Sequence, residues 1–353
     1  MKTLDAGKPA VSPVPIEFGG PTMLKTPYLL FLGDAGDALA AKVAQGIRDW
    51  RPDHAVGQMR LAGCAADLGI PDMGIAESME KGARTLVVGV ANRGGFIAEE
   101  WVDVLVEALE AGMDLAAGLH TRLADVPRLA ETAGRLGREL HDVRHPVRAY
   151  PVGSGARRTG KRLLPVGTDC SCGKMYTALA IEREMHARGR KATFRATGQT
   201  GILITGEGVS IDAVISDFIS GAVETLAPGN DADHWDLVEG QGSLFHPAYA
   251  GVTLGLIHGA QADALVLCHE PTRTHMRALP EYPVPDMGAV MEMVLPHAHL
   301  TNPDARFVGV AVNTARLDDA AAERFLKETE DRFGLPAVDP VRTGVGRIVD
   351  GLT

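Results

Sequence analysis

Hydrophobic and polar positions along this chain fall into a repeating alternation. Residues 28–32 form a continuous apolar run that ends in Gly33-Asp34-Ala35-Gly36-Asp37, and helical spacing follows over 38–50. A short apolar run closed by Gly and Asp, then a 3.6-residue periodicity, reads as a strand, a turn and a helix. The unit recurs at 85–90, with Asn92-Arg93-Gly94-Gly95 as its turn and 99–111 as its helix. Residues 113–118 fit a third strand, and 126–141 a further helix with its charges on one side. The rhythm breaks over 144–162, where Pro146, Pro151, Gly153, Gly155 and five arginines gather. It then resumes, with strands at 163–166, 192–196, 235–238, 264–268 and 307–312 and helices between them. Alternation of this kind predicts an α/β protein of two parallel sheets, with ligands at the carboxyl ends of the strands. The expected division is a tail over 1–24, one domain over 25–145, a linker over 146–162 and a second domain over 163–353.

The length of 353 residues agrees with two domains, and a 45% apolar content gives ample core. Forty-five acids against 35 bases leave a net charge of -10, and no basic stripe interleaves with aromatics, so nucleic acid is not expected as a partner. No 18-residue apolar run or leader pattern is present, so no membrane is expected either. Cys64, Cys170, Cys172 and Cys268 are too few and too unevenly spaced for a disulfide framework, which points to a reducing cytoplasm.

The most informative segment is Gly167-Thr168-Asp169-Cys170-Ser171-Cys172-Gly173-Lys174-Met175, set between an apolar strand and a helical run. Small residues let backbone N–H groups wrap an anion, a lysine neutralises it, and a helix N-terminus stands behind. One position departs from the phosphate-loop pattern. After the lysine a Ser or Thr hydroxyl normally binds magnesium, and here Met175 offers a thioether. Tyr176 and Thr177 carry hydroxyls but at other angles on the helix. The loop is therefore expected to bind phosphate without cleaving it. Cys170 and Cys172 lack zinc-pair spacing, and no histidine of His246, His258, His269 and His275 falls into a metal pattern, so no metal is expected.

Polar residues mark the later strand ends. Arg195, Gln199, Asp212, Asp217, Glu239, Arg273 and Asn313 all belong to segments that should face one crevice. Glu239, at a strand end with no metal water to orient, is free to act as a base. Asp212 has the same chemistry, but an acid near a helix start is favoured by the dipole whatever its function.

The run Gly-Thr-Asp-Cys-Ser-Cys-Gly-Lys resembles the phosphate loop of dethiobiotin synthetase and its relatives. Together with Arg195-Ala-Thr-Gly-Gln-Thr-Gly and Ile211-Asp-Ala-Val-Ile-Ser-Asp-Phe, it resembles more closely the D-glutamate N-acetyltransferase family, formerly a family of unknown function, from about residue 24 to the end. The resemblance implies a Rossmann-like N-terminal domain, a C-terminal domain like the P-loop NTPases, and acetyl transfer from acetyl-CoA to the amine of D-glutamate. On that reading Gly167, Thr168, Asp169, Cys170, Ser171, Cys172, Gly173, Lys174 and Met175 hold a coenzyme A phosphate, and Asn313 approaches the adenine. Arg195 and Arg273, with Gln199, clamp the dicarboxylate substrate, since bidentate cations suit carboxylates. Glu239 or Asp212 takes the ammonium proton, Lys174 assists, and backbone N–H groups of 240–242 face the oxyanion. A homodimer is expected, because such sheets commonly pair about a twofold axis. The competing reading is a magnesium-dependent ATP ligase or kinase of the dethiobiotin synthetase type, which needs a hydroxyl in place of Met175.

Overall fold

The fold is taken from a computed structural model, which describes residues 23–352 apart from 39, 91–94, 146–148 and 278. Most of the expected N-terminal tail, and the turn Asn92-Arg93-Gly94, lie outside the described residues.

Five parallel strands make the first sheet: β1 (Tyr28–Gly33), β2 (Ala55–Arg60), β3 (Thr85–Val88), β4 (Asp114–Ala117) and β5 (Leu140–Asp142), in the spatial order β2-β1-β3-β4-β5. The second sheet takes β6 (Lys161–Gly167), β7 (Ala192–Arg195), β8 (Trp235–Val238), β9 (Ala264–His269), β12 (Arg306–Val312) and β13 (Ala337–Val338), ordered β13-β12-β9-β6-β8-β7 and again parallel. A short antiparallel hairpin, β10 (His275–Met276) and β11 (Leu279–Pro283), stands apart. The central strands β1, β3, β4 and β8 are buried at every position, as helices covering both faces require, and the buried Asp114 of β4 and Asp236 of β8 are paired with Lys25 and Arg195. The chain leaves β6, fills the β8 and β7 side, and then crosses to β9 and β12. That reversal makes the carboxyl end of β6 a topological switch point, where such sheets open a crevice.

The halves share apolar packing. One buried cluster joins Leu30, Val87 and Ala116 of the first sheet to Leu163, Phe194 and Leu237 of the second through Ile47 and Ile204 of the intervening helices. Gly46 of the helix Lys42–Trp50 lets the Ile204 side chain approach closely from the helix Gln199–Thr205.

Two expectations are corrected. The helix expected over 126–141 spans only Pro127–Leu136, because Gly137 takes a left-handed φ of 63° and caps it, freeing 140–142 to become β5. The first helix begins at Lys42, not at residue 38.

Candidate active site

From the carboxyl end of β6 the chain turns through the phosphate loop into the helix Lys174–Ala187. Gly173 allows this turn: its φ of 110° is open only to a residue without Cβ. Two cations hold the loop from inside and outside. The buried Lys174 ammonium donates to the Asp169 carbonyl at 2.7 Å. Outside, Arg273 donates through Nη1 to Asp169 Oδ2 and to the Cys170 carbonyl, both at 2.6 Å, and through Nη2 to Glu270 Oε2 at 2.7 Å. The loop is thus pre-shaped by the protein's own charges. Met175 lines the cleft next to Lys174; the Thr177 hydroxyl donates to the Gly173 carbonyl at 3.0 Å and that of Tyr176 to Asp49 at 3.2 Å.

The loop opens into a cleft of about 840 Å³ between the two sheets. Across from the loop stands Glu239, just beyond β8 and 3% exposed. Its Oε2 accepts the backbone N–H groups of Thr197 at 2.9 Å and Gly198 at 3.0 Å. The sequence makes room for this carboxylate: a Cβ on Gly201 would collide with Oε2. Burial pushes its pKa up to about 7, opposed by those two N–H donors. A carboxyl that changes charge near neutrality, on the wall of a cleft, can take up or give back a proton during a reaction.

The expected site residues divide into three groups. Cys170, Ser171, Cys172, Gly173, Lys174, Met175, Gln199, Asp212, Glu239 and Asn313 line the cleft. Gly167, Thr168 and Asp169 lie behind it and shape the loop; the Thr168 hydroxyl meets His269 Nδ1 at 3.0 Å. Arg195 and Arg273, expected as the substrate clamp, are not among the residues that line it. Arg195 lies on β7 with Nε donating to the buried Asp236 at 2.7 Å, and Arg273 is spent on the loop. Asp217 is exposed and does not line the cleft.

Three cations outside the expected set line the cleft instead. Arg144, just after β5, reaches across from the first sheet, donating to the Gln199 side chain and, at 3.0 Å, to Asp212 Oδ2. Lys42 and Arg277 also line the cleft. The only signal for Arg144 was its place in the arginine-rich stretch at the end of the first half. His246 was likewise unforeseen as a neighbour: a ring nitrogen, the Cys170 sulfur and an Asp169 oxygen lie within 4.8 Å of one another. That carboxylate already accepts from Arg273, Cys170 N–H and Arg277 N–H.

Residues 151–349 match a family described as a domain of unknown function, P-loop domain (DUF1611_C), and 59–146 match its Rossmann-like counterpart (DUF1611_N). The chain belongs to the DUF1611 family. A crystal structure of a DUF1611 family protein from Anabaena variabilis is 33% identical with a TM-score of 0.79, over 93% of this chain and 99% of that one. The fold is therefore a Rossmann-like domain followed by a P-loop domain. Two curated proteins share it in full: a D-glutamate N-acetyltransferase from Tritonibacter scottomollicae, 63% identical over 94% of this chain and 99% of its own, and one from Pseudoalteromonas sp., 47% identical over 93% and 99%. Among the described residues of this DUF1611 chain, no helix is long and apolar enough to cross a membrane.

Proposed function

We propose that this protein is an N-acetyltransferase that moves the acetyl group of acetyl-CoA to the amino group of D-glutamate. The full-length likeness to two proteins of that name supports the reaction, and one observation in the cleft supports its mechanism: Glu239, tuned to about 7, faces a phosphate loop whose lysine is followed by Met175.

The loop backbone from Cys170 to Gly173, with Lys174 and the start of the helix behind it, holds a phosphate of the cosubstrate. Asn313, lining the cleft after β12 with its N–H fixed on the His269 carbonyl at 2.8 Å, faces the adenine. Arg144 and Gln199 hold the carboxylates of the amino acid, and Asp212 keeps Arg144 aimed. An ammonium has no lone pair, so its nitrogen attacks the thioester only after losing a proton, and Glu239 takes it. The Gly240–Gly242 backbone lines the same wall, where N–H groups can meet the negative charge growing on the carbonyl oxygen. The four free cysteines among the described residues accord with a reducing cytoplasm, and a twofold dimer is the assembly we expect.

The test is thiol release from acetyl-CoA with D- or L-glutamate in the presence of EDTA, with the product weighed by mass spectrometry. Release with D-glutamate only, and a product heavier by one acetyl group, is expected. Release that needs ATP and magnesium contradicts the proposal and returns the ligase reading.

A further inference from the structure

Acetyl-CoA, the donor on the reading above, carries its negative charge at two places: a diphosphate in the chain and a phosphomonoester on the ribose 3′ oxygen. The phosphate loop accounts for one. Two further cations, Lys42 and Arg277, line the cleft besides Lys174 and Arg144. Lys42 opens the helix Lys42–Trp50 in the first half, Arg277 follows β10 in the second, and both line the cleft. The Arg277 guanidinium donates to the Ser171 hydroxyl, and its backbone N–H donates to Asp169 Oδ2 at 2.8 Å, so the residue is seated against the outer turn of the loop. Among the described residues, neither Lys42 nor the Arg277 side chain is paired with a carboxylate.

Three features favour an anion beside this pair. Lys42 stands at a helix start with no acidic residue in its first turn, so the positive end of the dipole adds to the ammonium, although Asp37 Oδ1 takes the Ala40 N–H at 2.7 Å just before it. Both residues are solvent-exposed, so an anion can reach them, and partial desolvation together with the Arg277 charge holds the lysine below its ordinary pKa. The molecule as a whole carries a net charge of -10, so this positive lobe is local rather than part of a basic surface. Arg277 is held on the loop by Ser171 and Asp169, whereas Arg144 is held by Gln199 and Asp212, where the amino acid is placed. The anion it faces is therefore a neighbour of the loop's own phosphate.

We propose that Lys42 and Arg277, one from each half, form a second phosphate site that receives the 3′-phosphate of coenzyme A and so makes the cosubstrate bridge the two sheets. This rests on acetyl-CoA being the donor. The test is calorimetric binding of CoA and 3′-dephospho-CoA to the full chain and to its Lys42→Gln and Arg277→Gln variants. With charge-assisted hydrogen bonds from two cations, the unaltered protein should prefer CoA by about 10- to 100-fold. Each variant should lose most of that preference while binding dephospho-CoA within about twofold of the unaltered protein, which also shows that it is folded. Equal affinity of the unaltered protein for the two ligands overturns the site but leaves the donor intact. A variant that keeps the full preference, or that loses affinity equally for both ligands, overturns it as well. Failure of the unaltered protein to bind either ligand overturns the donor reading and this site together.

Discussion

Glu239 links protonation to folding as well as to chemistry. Its pKa rises from 4.5 toward about 7 on burial, so the folded state holds a proton that the unfolded chain has released between those values. The resulting stabilisation is complete below pH 4.5 and is lost as pH climbs through about 7, a swing on the order of 3 kcal/mol. The unaltered protein should therefore lose Tm between pH 5 and 8 more steeply than Glu239→Gln, a difference that paired calorimetric scans read directly; parallel curves would show that the carboxyl titrates normally. Gly201 is the partner of this residue in space. Gly201→Ala drives a methyl into Oε2 and should cost about 1–3 kcal/mol in denaturant unfolding, with loss of activity exceeding that of an exposed Gly→Ala change such as Gly134→Ala, which meets nothing.

The loop and its strap behave as one element. Arg273→Ala removes two ionic hydrogen bonds from Asp169 and the Cys170 carbonyl and leaves the Asp169 carboxylate, 1% exposed, without its cation. The expected result is a KM for acetyl-CoA raised about 10-fold or more, with the KM for D-glutamate little changed; steady-state kinetics with each substrate varied decides this. At this scale the sequence was legible wherever strands are buried on both faces, since β1, β6, β9 and β12 are plain apolar runs. It was illegible at the edges. β2, reading Ala-Val-Gly-Gln-Met-Arg, and the two-residue β13 carry no clear period, and β5 hides inside a helical pattern that only Gly137 interrupts. Site residues followed the same division. The loop and Glu239, expected at strand ends, do line the cleft, while Arg195 and Arg273, also expected at strand ends, are paired with Asp236 and Asp169, acids whose proximity no spacing reveals.

The whole molecule gives the first domain a task in the reaction. Arg144 crosses from β5 to Gln199 and Asp212, so on the proposed reading the Rossmann-like half completes the substrate end of the cleft. Arg144→Gln should raise the KM for D-glutamate by about 10- to 100-fold and leave the KM for acetyl-CoA near its original value. An equal change in both would make Arg144 a general brace between the halves. The account stands or falls on a base that serves a cleft built from both domains, and the most direct measurement is kcat/KM for D-glutamate against pH in the unaltered protein and in Glu239→Gln. The unaltered profile should rise with pH to a limb near 7, where Glu239 ionises, and the variant should lie about 10²- to 10⁴-fold lower with that limb gone. A variant with the same limb and an undiminished rate would remove Glu239 from the chemistry and contradict the mechanism.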